Sequence, residues 1–205
     1  MSAIFKTILV GFSYIFHPIF IALYCTLISH FFLESFNQFY KLIGLLVVFT
    51  IALPLISLFI LIRLKIMDSF TEAKLNQRGL ILFIQLIFSL VFIYVFINMD
   101  FRSHILLFYL GGILSSILAY IGVYFKLKVS LHMIGISALT AFVILFQHYS
   151  NFPKIQFVVL FLIICCGLVG SSRLYLNSHT KSELFLGILV GIIPQGYLFY
   201  LLSLF

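Results

Sequence analysis

Gly79-Leu80-Ile81-Leu82-Phe83-Ile84-Gln85-Leu86-Ile87-Phe88-Ser89-Leu90-Val91-Phe92-Ile93-Tyr94-Val95-Phe96-Ile97-Asn98 is a run of twenty residues with no charged side chain. A helix rising about 1.5 Å per residue crosses the roughly 30 Å hydrocarbon core of a bilayer in about 20 residues. A strand of a membrane barrel would instead alternate apolar and polar side chains over about ten residues. The run does not alternate, so it reads as a membrane-crossing helix. Similar runs lie on either side of it, at roughly 15–33, 40–62, 104–125, 131–147, 155–174 and 181–204. A shorter apolar segment at 3–16 precedes them, and Pro18 is expected to break the helix there. Pro54 is expected to kink the second span.

Composition gives the same answer for the whole chain. Of its 205 residues, 64% are hydrophobic and 8% charged, and mean hydropathy is +1.28. Soluble domains carry roughly 25% charged residues, so this chain cannot cover a globule with polar surface. The expected fold is all-α: one integral membrane domain over 1–205, a polytopic helical bundle of six or seven spans, with no room for a soluble domain. The net charge of +7 does not read as nucleic-acid binding, because the bases are dispersed at helix ends without a dense run. There they serve as topology signals and contacts to lipid headgroups. Cys25, Cys165 and Cys166 sit inside apolar runs and act as small hydrophobes, with neither metal-ligand nor disulfide spacing. The N-terminal apolar stretch lacks a small-residue cleavage site and is read as retained. A Trp-free, Phe-rich, Lys-leaning composition suits an AT-rich bacterial genome, hence a bacterial cytoplasmic (inner) membrane.

Two polar islands interrupt the apolar runs. One is Ser172-Arg173-Leu174-Tyr175-Leu176-Asn177-Ser178-His179-Thr180-Lys181-Ser182-Glu183; the other is Lys128-Val129-Ser130-Leu131-His132. Ionisable groups at the lipid edge are costly unless they have partners or a task. With seven spans, the loops after spans two, four and six share one membrane face. That face receives Lys74 and Arg78, then Lys128, Ser130 and His132, then Arg173, His179 and Glu183. Nine of the twelve Lys and Arg fall on this side or at the N-terminus, and Lys41, Arg102 and Lys154 on the other. The bias leans towards a cytoplasmic face.

His179 and Glu183 are four residues apart and share a face if the last helix starts near residue 178. A carboxylate beside an imidazole fixes its tautomer and leaves the other ring nitrogen free to attack an electrophile. The planar fork of Arg173 suits phosphate, and Arg78, Lys74 and Lys128 add positive charge. Phosphoryl transfer is mainly positioning and charge stabilisation. His132 is the candidate proton donor to a leaving group, and Ser130, near a helix start, a donor to phosphate oxygen. This chemistry needs no metal or cofactor. The bland alternatives are these. His30, His104 and His148 read as interfacial polar residues, and His17 as a partner for carbonyls freed by the break at Pro18. Arg173 could snorkel to headgroups, and Glu183 could cap the last helix. Gly187 and Gly191 read as a helix-packing motif.

The islands resemble the type 2 phosphatidic acid phosphatase (PAP2) family. Its pattern is Lys-x6-Arg-Pro, then Pro-Ser-Gly-His, then Ser-Arg-x5-His-x3-Asp. The third part matches as Ser172-Arg173, His179 and Glu183, with Glu for Asp. The second matches as Ser130-Leu131-His132, with Val129 and Leu131 in place of Pro and Gly. The first is reduced to Gln77-Arg78-Gly79; Thr71 stands where its Lys is expected, and the nearest Lys is Lys74. The resemblance covers roughly 74–190. It implies a PAP2-like core and a lipid phosphomonoester or diphosphate substrate of the phosphatidic acid, phosphatidylglycerol phosphate, polyprenyl diphosphate or lipid A phosphate type. It also implies a metal-independent phosphohistidine route. His179 would be the nucleophile, Glu183 its orienting carboxylate and His132 the general acid. Arg173, Ser130 and Arg78 would be the phosphate clamp, with Lys74 or Lys128 in place of the missing Lys. Family members usually place the site on the extracytoplasmic face, against the charge bias here, and the face stays open. The altered first two motifs keep a second reading open: a catalytically degenerate protein that binds a lipid or a partner membrane subunit. A homo-oligomer is likewise left open.

Overall fold

A computed structural model of the protein describes residues 3–33, 38–67, 75–99, 104–150 and 152–204, and these are helical with short turns and no strand. In chain order the helices are α1 (Ala3–Ile15), α2 (Pro18–Ile28), α3 (Phe39–Leu46), α4 (Leu53–Arg63), α5 (Leu75–Asn98), α6 (Ile105–Tyr124), α7 (Leu131–Phe146), α8 (Ile155–Tyr175) and α9 (Lys181–Leu202).

Proline sets the first two irregularities. The chain bends by 72° between α1 and α2 at His17-Pro18. Pro18 opens α2, where its missing N–H costs nothing. Pro54 does not kink its span sharply. Instead a π-helical stretch, Val47–Ala52, joins α3 to α4 in one continuous 25-residue span. A proline ring clashes with the carbonyl four residues earlier, and widening the preceding turn relieves that clash.

Among the described residues, five segments are long and apolar enough to cross a bilayer: Phe39–Arg63, Gln77–Asn98, α6, α8 and α9. The bent α1–α2 pair counts as a sixth if it crosses as one broken span. Five or six such segments overlap the expected six or seven, and the expected span at 131–147 is the one corrected, because α7 has only 16 residues and is about 24 Å long. That is short of the roughly 30 Å core.

α7 is instead the centre of the bundle, contacted by α9, α8, α2 and α6. It is mostly apolar, as a helix buried on nearly every side must be, with Ile144 exposed and Ile136, Leu139, Phe142 and Val143 in the core. The outer helices show the reverse. Phe157, Phe161 and Ile193 are each more than half exposed, a surface suited to hydrocarbon rather than water.

α9 lies close against α7 because two glycines let it. A Cβ on Gly187 would come within 2.8 Å of Ser130 O and 2.9 Å of Met133 Cβ, and one on Gly191 within 2.5 Å of Ile134 O. The Gly187–Gly191 pair therefore packs helices within one chain. Pro194 sits inside α9 and cannot donate to the carbonyl four residues back, that of Val190. Ser115 Oγ on α6 donates to that carbonyl at 2.8 Å, which satisfies it away from water.

Three helices end alike at the face that carries the polar islands. Lys65, Lys126 and Asn177 follow α4, α6 and α8 with positive φ of 58°, 59° and 51°. In each case the left-handed residue's N–H bonds three residues back and the next N–H five back: Lys126 to Val123 O and Leu127 to Gly122 O, for example. This is the Schellman cap, here built without glycine.

Candidate functional site

The two polar islands meet at this end of the bundle. Lys128 Nζ donates to Ser178 O at 2.8 Å, and the Ser130 N–H to Glu183 O at 3.3 Å. The first turn of α5 joins them: Arg78 Nη1 donates to Val129 O at 3.3 Å. The expected convergence of Arg78, Lys128, Ser130, His132, Arg173, His179 and Glu183 on one end is therefore observed. Lys74 lies outside the described residues.

The local fold of the island that ends at Glu183 follows from its sequence. Thr180 is the N-cap of α9 and Glu183 its N3 residue, the two ends of a capping box. The Glu183 N–H donates to Thr180 Oγ1 at 3.3 Å, and the Thr180 N–H to Glu183 Oε2 at 3.2 Å. The same Oε2 accepts from His179 Nδ1–H at 2.8 Å. The cap and the histidine contact are thus one device. The helix start fixes the carboxylate, and the carboxylate fixes the imidazole with its proton on Nδ1 and its lone pair on Nε2.

The His179 side chain is only 2% exposed. Burial, followed by the charges of Arg78, Lys128 and Arg173, lowers its pKa from 6.5 to about 4, against the opposing pull of Glu183. At neutral pH the imidazole is uncharged, with Arg78, Lys128 and Arg173 near it.

A cavity of about 310 Å³ opens beside it. Arg78, His132, Arg173 and His179 line its polar end, and Ile81, Phe92, Ile113 and Ala138 are among the apolar residues along the rest. Arg78 and Ile93, fifteen positions further along α5, both line it, so it runs about 22 Å along that helix. Ser130, Lys128 and Glu183 do not line it. Ser130 is fully buried at the start of α7, its hydroxyl caps nothing, and its Oγ has no partner among the described residues. Among the described residues no three His, Cys, Asp or Glu side chains are grouped as a metal site would need.

Two site residues escape a motif reading. Ser13, on α1, takes a hydrogen bond from Arg173 Nη1 on its Oγ at 2.9 Å, and one from His132 Nε2–H on its carbonyl at 3.2 Å. His17 lies in the bend, with its ring centroid 5.1 Å from that of His132 and the two rings perpendicular. The expectation that His17 bonds freed carbonyls is corrected. Its Nδ1 accepts the Ile19 N–H at 3.4 Å, because a helix start exposes N–H groups rather than carbonyls. The one sequence signal was the His17-Pro18 break itself. Comparison with protein-family models, with curated proteins and with solved structures gives no match for this chain.

Proposed function

We propose that the protein is an integral membrane lipid phosphatase acting through a phosphohistidine, with a lipid phosphomonoester or diphosphate as substrate. The observation that carries this reading is the 2.8 Å bond from His179 Nδ1–H to Glu183. It leaves Nε2 as the nucleophilic nitrogen beside a cavity that is cationic at one end and apolar along its length. An amphiphile with an anionic head matches both parts.

In the first half-reaction the Nε2 lone pair of His179 attacks phosphorus, and the bond from phosphorus to the leaving oxygen breaks. Burial, then the charges of Arg173 and His17, lower the pKa of His132 to about 3, so it is the anionic substrate that brings the proton on, and His132 gives that proton to the leaving oxygen. Its Nε2–H is held by Ser13 O, so the proton transferred is the one on Nδ1. Arg78 and Arg173 balance the charge on the equatorial oxygens; the donor role expected of Ser130 is corrected, since it is fully buried and outside the cavity lining. In the second half, neutral His132 takes a proton from water, the oxygen attacks phosphorus, and the P–N bond breaks. Inorganic phosphate leaves, and His179 regains its lone pair.

The test is phosphate release by the purified protein in detergent with EDTA, across a panel of lipid phosphates and diphosphates, with His179→Ala in parallel. Release that survives EDTA and falls at least a thousandfold in the variant is expected. A folded protein that releases no phosphate from any lipid would favour the non-catalytic lipid-binding alternative.

A further inference from the structure

We propose that His17, on the elbow between α1 and α2, is a phosphate-binding residue whose Nε2–H donates to an anion in the same cavity. This rests on the phosphate-site reading above and adds a fourth chain segment to it, outside the three motifs that suggested it. His17 lines the cavity together with Arg78, His132, Arg173 and His179. Its Nδ1 is occupied as the acceptor of the Ile19 N–H. A ring nitrogen that accepts carries no proton, so the neutral ring holds its proton on Nε2. Nε2 has no hydrogen-bond partner among the described residues. The backbone cap thus does for His17 what Glu183 does for His179, with the opposite tautomer: one ring presents a lone pair, the other a donor. Ser13 fixes the elbow to the same machinery, since it accepts from both Arg173 and His132. A phosphate reached by Arg173 therefore lies within the wall that the elbow forms.

A capping role alone would explain the Ile19 bond, and two substitutions separate it from anion binding. His17→Asn keeps an acceptor at the Nδ1 position, and Asn is a strong N-cap residue, but it removes the Nε2 donor. His17→Gln reaches further and keeps a donor near the Nε2 position, while capping poorly. Inorganic phosphate and an alkyl phosphate would be titrated by calorimetry into the purified full-length protein in detergent. The wild type, Arg173→Ala and both His17 variants would be compared, with a thermal melt of each. The expected result is a wild-type-like melt for His17→Asn with phosphate affinity down about tenfold or more, and recovery of most of that affinity in His17→Gln. The alkyl phosphate arm shows whether a lipid headgroup binds more tightly than the free anion. Unchanged affinity in His17→Asn, or equal loss in both variants, overturns the assignment of His17 while leaving the site reading intact. A wild type that binds neither probe, or binding that Arg173→Ala leaves unchanged, overturns the site reading and this proposal together.

Discussion

Glu183 holds two hydrogen bonds on one oxygen, from His179 Nδ1 and the Thr180 N–H. Stability and chemistry are coupled through that atom, and a substitution can separate them. Gln also closes a capping box, so Glu183→Gln should melt within about 1 kcal/mol of the wild type. It removes the charge that supports the imidazole, so phosphate release should fall about 10- to 100-fold. Parallel melts and turnover measurements check this, and equal turnover would mean that Glu183 only caps. The lowered pKa of His179 gives a pH prediction. The unfolded chain takes up the proton near the ordinary value of 6.5, and the folded site only near 4. Between these values the unfolded state binds more protons, so this residue's contribution to stability is intact above about 6.5 and declines as pH falls towards 4. The His179 imidazole in the folded protein stays neutral over most of that window. Phosphohistidine formation, followed in alkali-quenched single turnovers because the P–N bond is acid-labile, should therefore lose His179 to protonation only as pH approaches about 4, well below an ordinary histidine limb. The contact of His179 with Glu183 was legible in the third motif from their spacing of four, but α9 starts at Lys181, so His179 stands just outside the helix and reaches Glu183 through the cap rather than along a helix face. The partnership with Thr180 was visible there too, because Thr followed three residues later by Glu is a helix-start signature.

At the scale of the element, the Schellman caps after α4, α6 and α8 carry Lys65, Lys126 and Asn177 in left-handed backbone. A side chain there costs about 1–2 kcal/mol relative to glycine, less for Asn. Lys126 is the informative one: it closes α6 two residues before Lys128, which bonds Ser178 O. Lys126→Gly should raise the melting temperature, by up to about 1 kcal/mol in stability, without lowering activity. A drop in either would show that the Lys126 side chain does more than occupy the turn. Proline effects were legible only in part. Pro18 and Pro54 announce disruption, but whether a 72° elbow or a π-helical stretch results depends on what packs around each. Ser115 and Pro194 lie on different helices, and nothing in the sequence ties Ser115 to the carbonyl that Pro194 frees.

At the scale of the whole molecule, the connections after α4, α6 and α8 meet at one end, as the contacts among Arg78, Val129, Lys128, Ser178, Ser130 and Glu183 show. Single cysteines at Lys65, Lys126 and Ser182 should therefore react with a membrane-impermeant maleimide from the same side of sealed vesicles, and one at Lys154 from the other side. A split among the first three would break the shared-face arrangement on which the site depends. The same experiment fixes which face that is, where the charge bias and the family resemblance point in opposite directions. The sequence by itself determined the all-helical, bilayer-suited character of the chain, because burying twenty uncharged residues in hydrocarbon leaves the backbone no alternative to a helix. It also determined the pairing of His179 with Glu183, because that pairing is local. Only the tertiary structure decided that α7 is a short central helix rather than another full span, and that Gly187 and Gly191 serve contacts within the chain. It alone brought Ser13 and His17 to Arg173 and His132. Those contacts join residues more than a hundred positions apart, and no local pattern encodes a distance that is set by how whole helices pack.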